Sequence, residues 1–414
     1  MKKILLLVCL CLTVTAASAQ VSSSSGKPYT IFTGVDYVFM FNGITPSTEI
    51  TYTGTGTVIN WYKFTDTNKT NSISNQTSIS PEDATGYTLV VDGKETTIWV
   101  IDYNNYKPVL TGITPQDNAD KCSNVDLKID ATIPSLTYQT SGGLTKTITR
   151  NFEINYTTLS WGGTAWQDST ATVKLTAPTM PTSVTVKVPY KTTTFTLSGD
   201  QYATALGITV NPVVTTYTPL AVICHETSVV VTRNATNEAE RPTSAKQVSG
   251  SAPLDMTFYS NPNDPVLYYN WQIFKDKSKT SLTSGRTEKT TPYTFDEAGS
   301  YVVKVTVSNA TCSYSDSITV TVSTSSIEAP NVFTPNGDGH NDEFRVAYKS
   351  IIQFDAWVYN RWGRLVYKWS DPMKGWDGNI GGKKAAAGAY FYVIKAVGAD
   401  GKKYKLKGDI NLLR

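Results

Sequence analysis

Apolar and polar positions alternate with a period of two along most of this 414-residue chain, and short stretches rich in Gly, Asn, Asp and Pro interrupt the alternation. That pattern predicts half-buried strands joined by tight turns. Residues 58–64 alternate about Trp61, and 84–91 run into Asp92-Gly93, a hairpin signal answered by 97–101. Residues 35–41 are apolar apart from Asp36, with a turn after them at Asn42-Gly43. Further on, 124–133, 145–156, 171–175, 183–188 and 192–197 read as strands rich in Thr, Val and Ile. So do 228–232, 267–274 with Trp271 at its middle, and 292–307. The last region supplies two hairpins, 353–359 with 364–369 and 389–397 with 403–413. No long helical period appears, so the expected fold class is all-β, with β-sandwiches in tandem and a small β-sandwich at the C-terminal end.

Length then sets the number of cores. A chain of this size is too long for one ordinary all-β core, and its turn-rich breaks divide it. The expected order is a leader at 1–19, a flexible Ser-rich lead-in at 20–27, and sandwiches at 28–103, 104–217 and 218–323. A linker at 324–330 and a terminal sandwich at 331–414 follow. Charged residues make up 17% and aromatics 11%, a balance that suits exported β-rich modules. The formal net charge is +3, about +1 without Lys2 and Lys3 of the leader, and nothing in it suggests a nucleic-acid binder.

The first residues carry a targeting signal: basic Lys2 and Lys3, an apolar run over 4–12, and a small-residue cleavage site at Ala17-Ser18-Ala19. That apolar run, which contains Cys9 and Cys11, is too short for a membrane span, and no later stretch is long enough either. Cys122, Cys224 and Cys312 remain after cleavage. Cys224 and Cys312 bracket one sandwich near its first and last strands, so the expected bridge joins them and leaves Cys122 over; the alternative is two separate buried thiols.

Candidate chemistry is sparse. His225 and His340, the only histidines, fall in different domains, too little for a Ser-His-Asp or His-rich zinc site. No nucleophile elbow or phosphate-cradling loop is present, so no catalytic residue and no cofactor are expected. Trp161 and Trp166 form either a stacking platform for sugar rings or a cap over the sandwich core. Asn336, Asp338 and Asp342 either ring a calcium ion or bond their own turn backbone. Asp168-Ser-Thr170 and Asp316-Ser-Ile318 look like the short acceptor sites at which Bacteroidetes O-glycosylate exported proteins.

Three resemblances follow from these motifs. Trp61 in mid-strand with Tyr87 after Asp83-Ala-Thr-Gly86 resembles immunoglobulin-like domains, without their usual cysteine pair, and implies that Tyr87 bonds back to the backbone at a corner. Trp271 with Phe295, Gly299 and Tyr301 resembles the polycystic-kidney-disease-type (PKD) domain, which names a fold and no ligand. The terminal block resembles the gliding-motility-associated C-terminal domain of Bacteroidetes, the type B sorting domain of the type IX secretion system. Its residues are Phe333, Thr334, Pro335, Asn336, Gly337, Asp338 and Gly339, with Asn341 and Asp342. Tyr359, Asn360, Arg361, Trp362 and Gly363 follow, then Trp376, Asp377 and Gly378, then Gly388 and Tyr390, and finally Gly408. Ala385-Ala-Ala387 departs from the family, which often has Pro there. The resemblance implies export by the leader and then recognition of the terminal domain by an outer-membrane translocon, with a PorP/SprF-like membrane protein as partner. The expected function is a non-enzymatic cell-surface protein, an adhesin, stalk or surface-assembly component with a host or glycan ligand. A secreted carbohydrate-binding module and a structural part of the secretion or gliding apparatus are the alternatives.

Overall fold

The computed structural model describes residues 20–414 apart from 31, 179, 277, 279 and 283–285. The expected leader, 1–19, lies outside the described residues. The chain is almost wholly β and divides into two compact units. One contains the chain up to Asp120, Asn124–Thr158 and Asp168–Thr218; the other contains Lys121–Ser123, Leu159–Gln167 and Pro219–Arg414.

The first unit begins with a five-stranded sheet ordered Lys27–Tyr29, Tyr37–Phe41, Lys94–Asp102, Thr85–Val91, Ile59–Lys63. It shares a core with a three-stranded sheet of Val21–Ser22, Ile50–Tyr52 and Ser78–Ile79. Trp61 is fully buried there, and its indole Nε1 donates to the Gln76 carbonyl at 3.0 Å. The Tyr87 hydroxyl accepts the Glu82 N–H at 3.0 Å, the corner that the sequence resemblance implies. The lead-in is not a free tail: Val21 is buried and pairs with Tyr52, and Lys27 begins an edge strand. Its serines mislead because one apolar residue in register supplies both the ladder and the burial.

The unbroken apolar run at Tyr37–Phe41 has a tertiary cause. Phe39 and Phe41 point into the sandwich core, as do Ile98 and Val100 of the neighbouring strand. Val38, Met40, Trp99 and Ile101 point the other way, into a second core with Leu136, Tyr138, Ile148, Tyr202 and Leu206. Both faces are covered, so no polar positions alternate. The next sandwich pairs a sheet ordered Ser183–Lys187, Asn124–Thr132, Val109–Gln116 with a four-stranded sheet. Their shared core includes Leu127, Ile154, Phe195 and Leu197. A one-turn helix, Gln201–Ala205, is capped by the Asp200 carboxylate, which accepts N–H bonds from Tyr202 and Ala203.

The second unit contains two sandwiches. In the first, strands Thr227–Val230, Leu254–Tyr259 and Thr290–Phe295 face Ser249–Gly250, Ser313–Val322, Gly299–Ser308 and Tyr268–Lys275. Trp271 is buried and donates to the Glu288 carbonyl at 2.9 Å, and the Tyr301 hydroxyl donates to the Glu297 carbonyl at 2.7 Å. The disulfide differs from expectation. Cys312 bonds Cys122, with a Cα–Cα distance of 5.5 Å, and Cys224 is a free buried thiol. Bracketing a domain in sequence does not bring two sulfurs together. The turn 121–123 reaches the hairpin end at Cys312, whereas Cys224 bridges to Pro262 inside the core. Burial pushes the Cys224 thiol up to about 12.

The terminal sandwich is built on a five-stranded sheet ordered Val332–Phe333, Lys403–Leu412, Gly388–Gly398, Ile351–Tyr359, Leu365–Trp369. Phe333, Phe344, Trp376, Ile394 and Ile410 fill its core. The expected linker 324–330 instead supplies strand Ser326–Glu328, paired with Ala347–Lys349. Backbone bonds also seat this sandwich on the one before it. Ala239 N–H donates to the Tyr348 carbonyl at 2.8 Å, Tyr348 N–H to the Asn237 carbonyl at 3.1 Å, and Ala298 N–H to the Ala399 carbonyl at 2.9 Å. Asn237 Nδ2 adds bonds to the carbonyls of Val346 and Pro372. The terminal sandwich is therefore docked, not tethered.

Candidate functional site

The residues that carry the terminal motifs separate into buried anchors and exposed loops. Phe333, Trp376, Gly378 and Tyr390 are buried. Trp376 Nε1 donates to the Asn379 carbonyl at 2.8 Å, and the Tyr390 hydroxyl to the Ala386 carbonyl at 2.9 Å, so each ring fixes the loop beside it. Gly408 has no side chain because a Cβ there would meet the Tyr392 hydroxyl at 2.8 Å. These anchors hold three turns in place.

The first turn follows Phe333. Gly337 and Gly339 both adopt positive φ, 84° and 85°, with open space around them, so conformation and not room calls for glycine. Asp342 accepts N–H bonds from Gly337 at 2.7 Å and Gly339 at 2.8 Å, which hold its carboxyl below the usual range. Asp338 accepts the His340 N–H at 2.7 Å, and Asn336 Oδ1 the Asp338 N–H at 3.1 Å. Thr334 N–H donates to the Asn341 carbonyl and closes the loop. Oxygens of the calcium candidate set thus accept N–H bonds from their own turn, the other arrangement that its residues allow. Among the described residues no cluster of three or more His, Cys, Asp and Glu is placed to hold a metal ion.

The second turn joins Ile351–Tyr359 to Leu365–Trp369. Asn360 Oδ1 accepts the N–H groups of Trp362 and Arg364, and Gly363 closes the turn at φ 75°. Trp362 is left 77% exposed, with the Arg361 guanidinium 4.6 Å from its ring centre. In the third, Asp377 accepts the Asn379 N–H at 2.9 Å beside Gly378. The structure brings Asn360, Arg361 and Trp362 together with Gly388, Tyr390 and Phe391 around a cleft of about 260 Å³. The loop at Asn336–Asp342 is not part of that cleft.

Trp161 and Trp166 meet edge to face at 5.2 Å, half-buried. Trp161 lies 4.3 Å from the His225 ring, and Trp166 Nε1 donates to the Asn261 carbonyl at 2.8 Å. Sequence reading missed two buried groups. Arg150 and Asp200 approach to 3.5 Å, with Tyr103 donating to the same carboxylate and Arg150 to the Tyr106 carbonyl at 2.7 Å. Glu226 is buried with neither side-chain oxygen bonded. A single charged residue beside a strand carries no periodic signal, so nothing in the pattern marks either group.

Three family models match parts of the chain. A fibronectin type III domain matches residues 114–215, a PKD domain 242–322, and the CHU_C type IX secretion signal domain 327–412. The terminal sandwich is a type IX secretion signal domain. The signal domain implies export to the cell surface or the extracellular space. All three matches are to non-catalytic domain types. No curated protein matches the chain. Among solved structures, a tetra-tandem repeat from the extending region of a large adhesion protein is 11% identical over 91% of this chain and 98% of its own, at TM-score 0.22. Sidekick-1 immunoglobulin domains 1–5 are 10% identical over 89% and 75%, at 0.24. A Ca²⁺-stabilised ice-binding adhesin of an Antarctic bacterium is 13% identical over 89% and 93%, at 0.19.

Proposed function

We propose that this is a non-enzymatic cell-surface protein whose sandwiches form an adhesin, stalk or surface-assembly component. Its signal domain is the part read by an outer-membrane translocon, with a PorP/SprF-like membrane protein as partner, after a leader at 1–19 has taken the chain across the first membrane. The observation that carries the reading is the signal-domain match, with its loops exposed on buried anchors. Loops fixed in this way lose little conformational entropy on docking, which suits recognition by shape. The test compares the full chain with one lacking residues 327–414 in a type IX-competent host. The full chain should become accessible to external protease, and the truncated chain should accumulate intact in the periplasm. Equal surface display of both would overturn the reading.

A second reading, sugar binding at Trp161 and Trp166, draws on the half-exposed Trp161–His225 contact. Trp161→Ala with an unchanged melting temperature should then abolish signals on a glycan array. An unaltered array pattern would remove this reading.

A further inference from the structure

The outer face of the five-stranded sheet in the signal domain has a composition of its own. Directly opposed residues on neighbouring strands share a face. Leu365, Tyr359 and Phe391 form one such row, with Leu365 47% and Phe391 46% exposed. The next row is Lys368, Trp357, Val393 and Lys407. The ammonium groups of Lys368 and Lys395 lie 5.6 and 5.7 Å from the centre of the Trp357 ring. Lys405 stands opposite Lys395, and Lys403 follows at the same period. Only Asp355 and Asp409 oppose these five lysines on the face, and among the described residues none of the five makes an ion pair. At the end of the strands, the cleft beside Trp362 continues the apolar row through Phe391.

We propose that this face is a docking surface for an acidic protein surface, the aromatic row entering the contact and the lysines pairing with carboxylates around it. The proposal rests on the sorting reading above and names the part of the signal domain that is read. Charge complementarity identifies the occupant: a face of five unpaired cations and two anions attracts carboxylates and repels a basic partner. Its geometry favours a protein over a lipid surface. Trp357, Tyr359 and Val393 lie half-buried within the ladder, flanked by long lysines, whereas seating in a bilayer requires apolar side chains that project beyond the cations. Large, pre-ordered aromatic rings ringed by polar groups are the usual anchors of protein contacts.

The test uses the full chain. In a type IX-competent host, K395E/K405E/K407E should lower the protease-accessible fraction on the order of tenfold, whereas K383E/K384E, on a separate hairpin, should export normally. Matching melting temperatures of the purified proteins exclude a folding defect, since all five lysines are exposed. Normal export of the triple variant while the chain lacking 327–414 is retained would overturn this surface and leave the sorting reading intact. Surface display of the truncated chain would instead overturn the sorting reading itself. In parallel, p-benzoylphenylalanine in place of Phe391 should yield a discrete protein adduct that the triple reversal removes. Absence of a protein adduct, with co-flotation on phosphatidylglycerol vesicles that the triple reversal abolishes, would assign the face to anionic lipid and overturn the protein partner.

Discussion

Glu226 offers a quantitative test of how this fold treats an unpaired charge. Its side chain is 5% exposed, neither oxygen has a hydrogen-bond partner, and the Asp316 carboxylate lies close enough to accept the Glu226 backbone N–H at 2.8 Å. Burial first, and then the charge of Asp316, push the Glu226 carboxyl up to about 9 from an ordinary 4.5. Beside it in sequence are Cys224, a neutral thiol at these pH values, and His225, whose Nδ1 lies 3.6 Å from Asp316 Oδ2. Between those two pKa values the folded chain holds a proton that the unfolded chain has released. Stability from this group is therefore full below about pH 4.5 and falls as pH rises toward 9. At about 1.4 kcal/mol per pH unit, the loss from pH 5 to 8 is roughly 4 kcal/mol. Glu226→Gln removes that titration, and its amide leaves two N–H donors and a carbonyl unmet, at about 1–3 kcal/mol for each unsatisfied group. Urea unfolding of both proteins at pH 5, 6, 7 and 8, followed by tryptophan fluorescence, should show the difference between them growing steadily in favour of the Gln variant. Groups outside the substitution contribute alike to both proteins and drop out of the difference. Parallel stability-against-pH lines for the two proteins would refute the reasoning.

Three further outcomes follow from named contacts. Cys122→Ser should free Cys312 and, across a separation of 190 residues, remove about 5 kcal/mol in the chain-entropy model, while Cys224→Ser leaves the bridge in place; peptide mapping without reductant checks both. Tyr301→Phe deletes the bond to the Glu297 carbonyl at 2.7 Å and should cost about 1 kcal/mol, read as a lowered urea midpoint with unchanged slope. Asn237→Ala leaves the carbonyls of Val346 and Pro372 without their side-chain donor, and hydrogen exchange at Ala239 and Tyr348 should accelerate before that of the strand cores.

Much of this protein was legible in the order of its residues. Period-two alternation about Trp61 and Trp271, turns at Asp92-Gly93 and Asn360–Gly363, the corner tyrosine Tyr87 and the late-strand Tyr301 are local features, and local rules of strand, turn and ring burial read them. The terminal motifs were equally visible, because turn glycines and anchoring aromatics must stand at fixed spacings. Tertiary structure alone decided the rest. That the second face of Tyr37–Phe41 is covered as well depends on a helix more than 150 residues away in sequence. Cys312 found Cys122 and not Cys224, Val21 and Ser326–Glu328 became strands within Ser-rich stretches, and the signal domain came to rest on its neighbour. The outward rows that join Trp357 to Lys368 and Lys407 exist only once four strands are in register. Alternation tells a strand which side chains share a face; only packing, set by contacts distant in sequence, says what lies against that face.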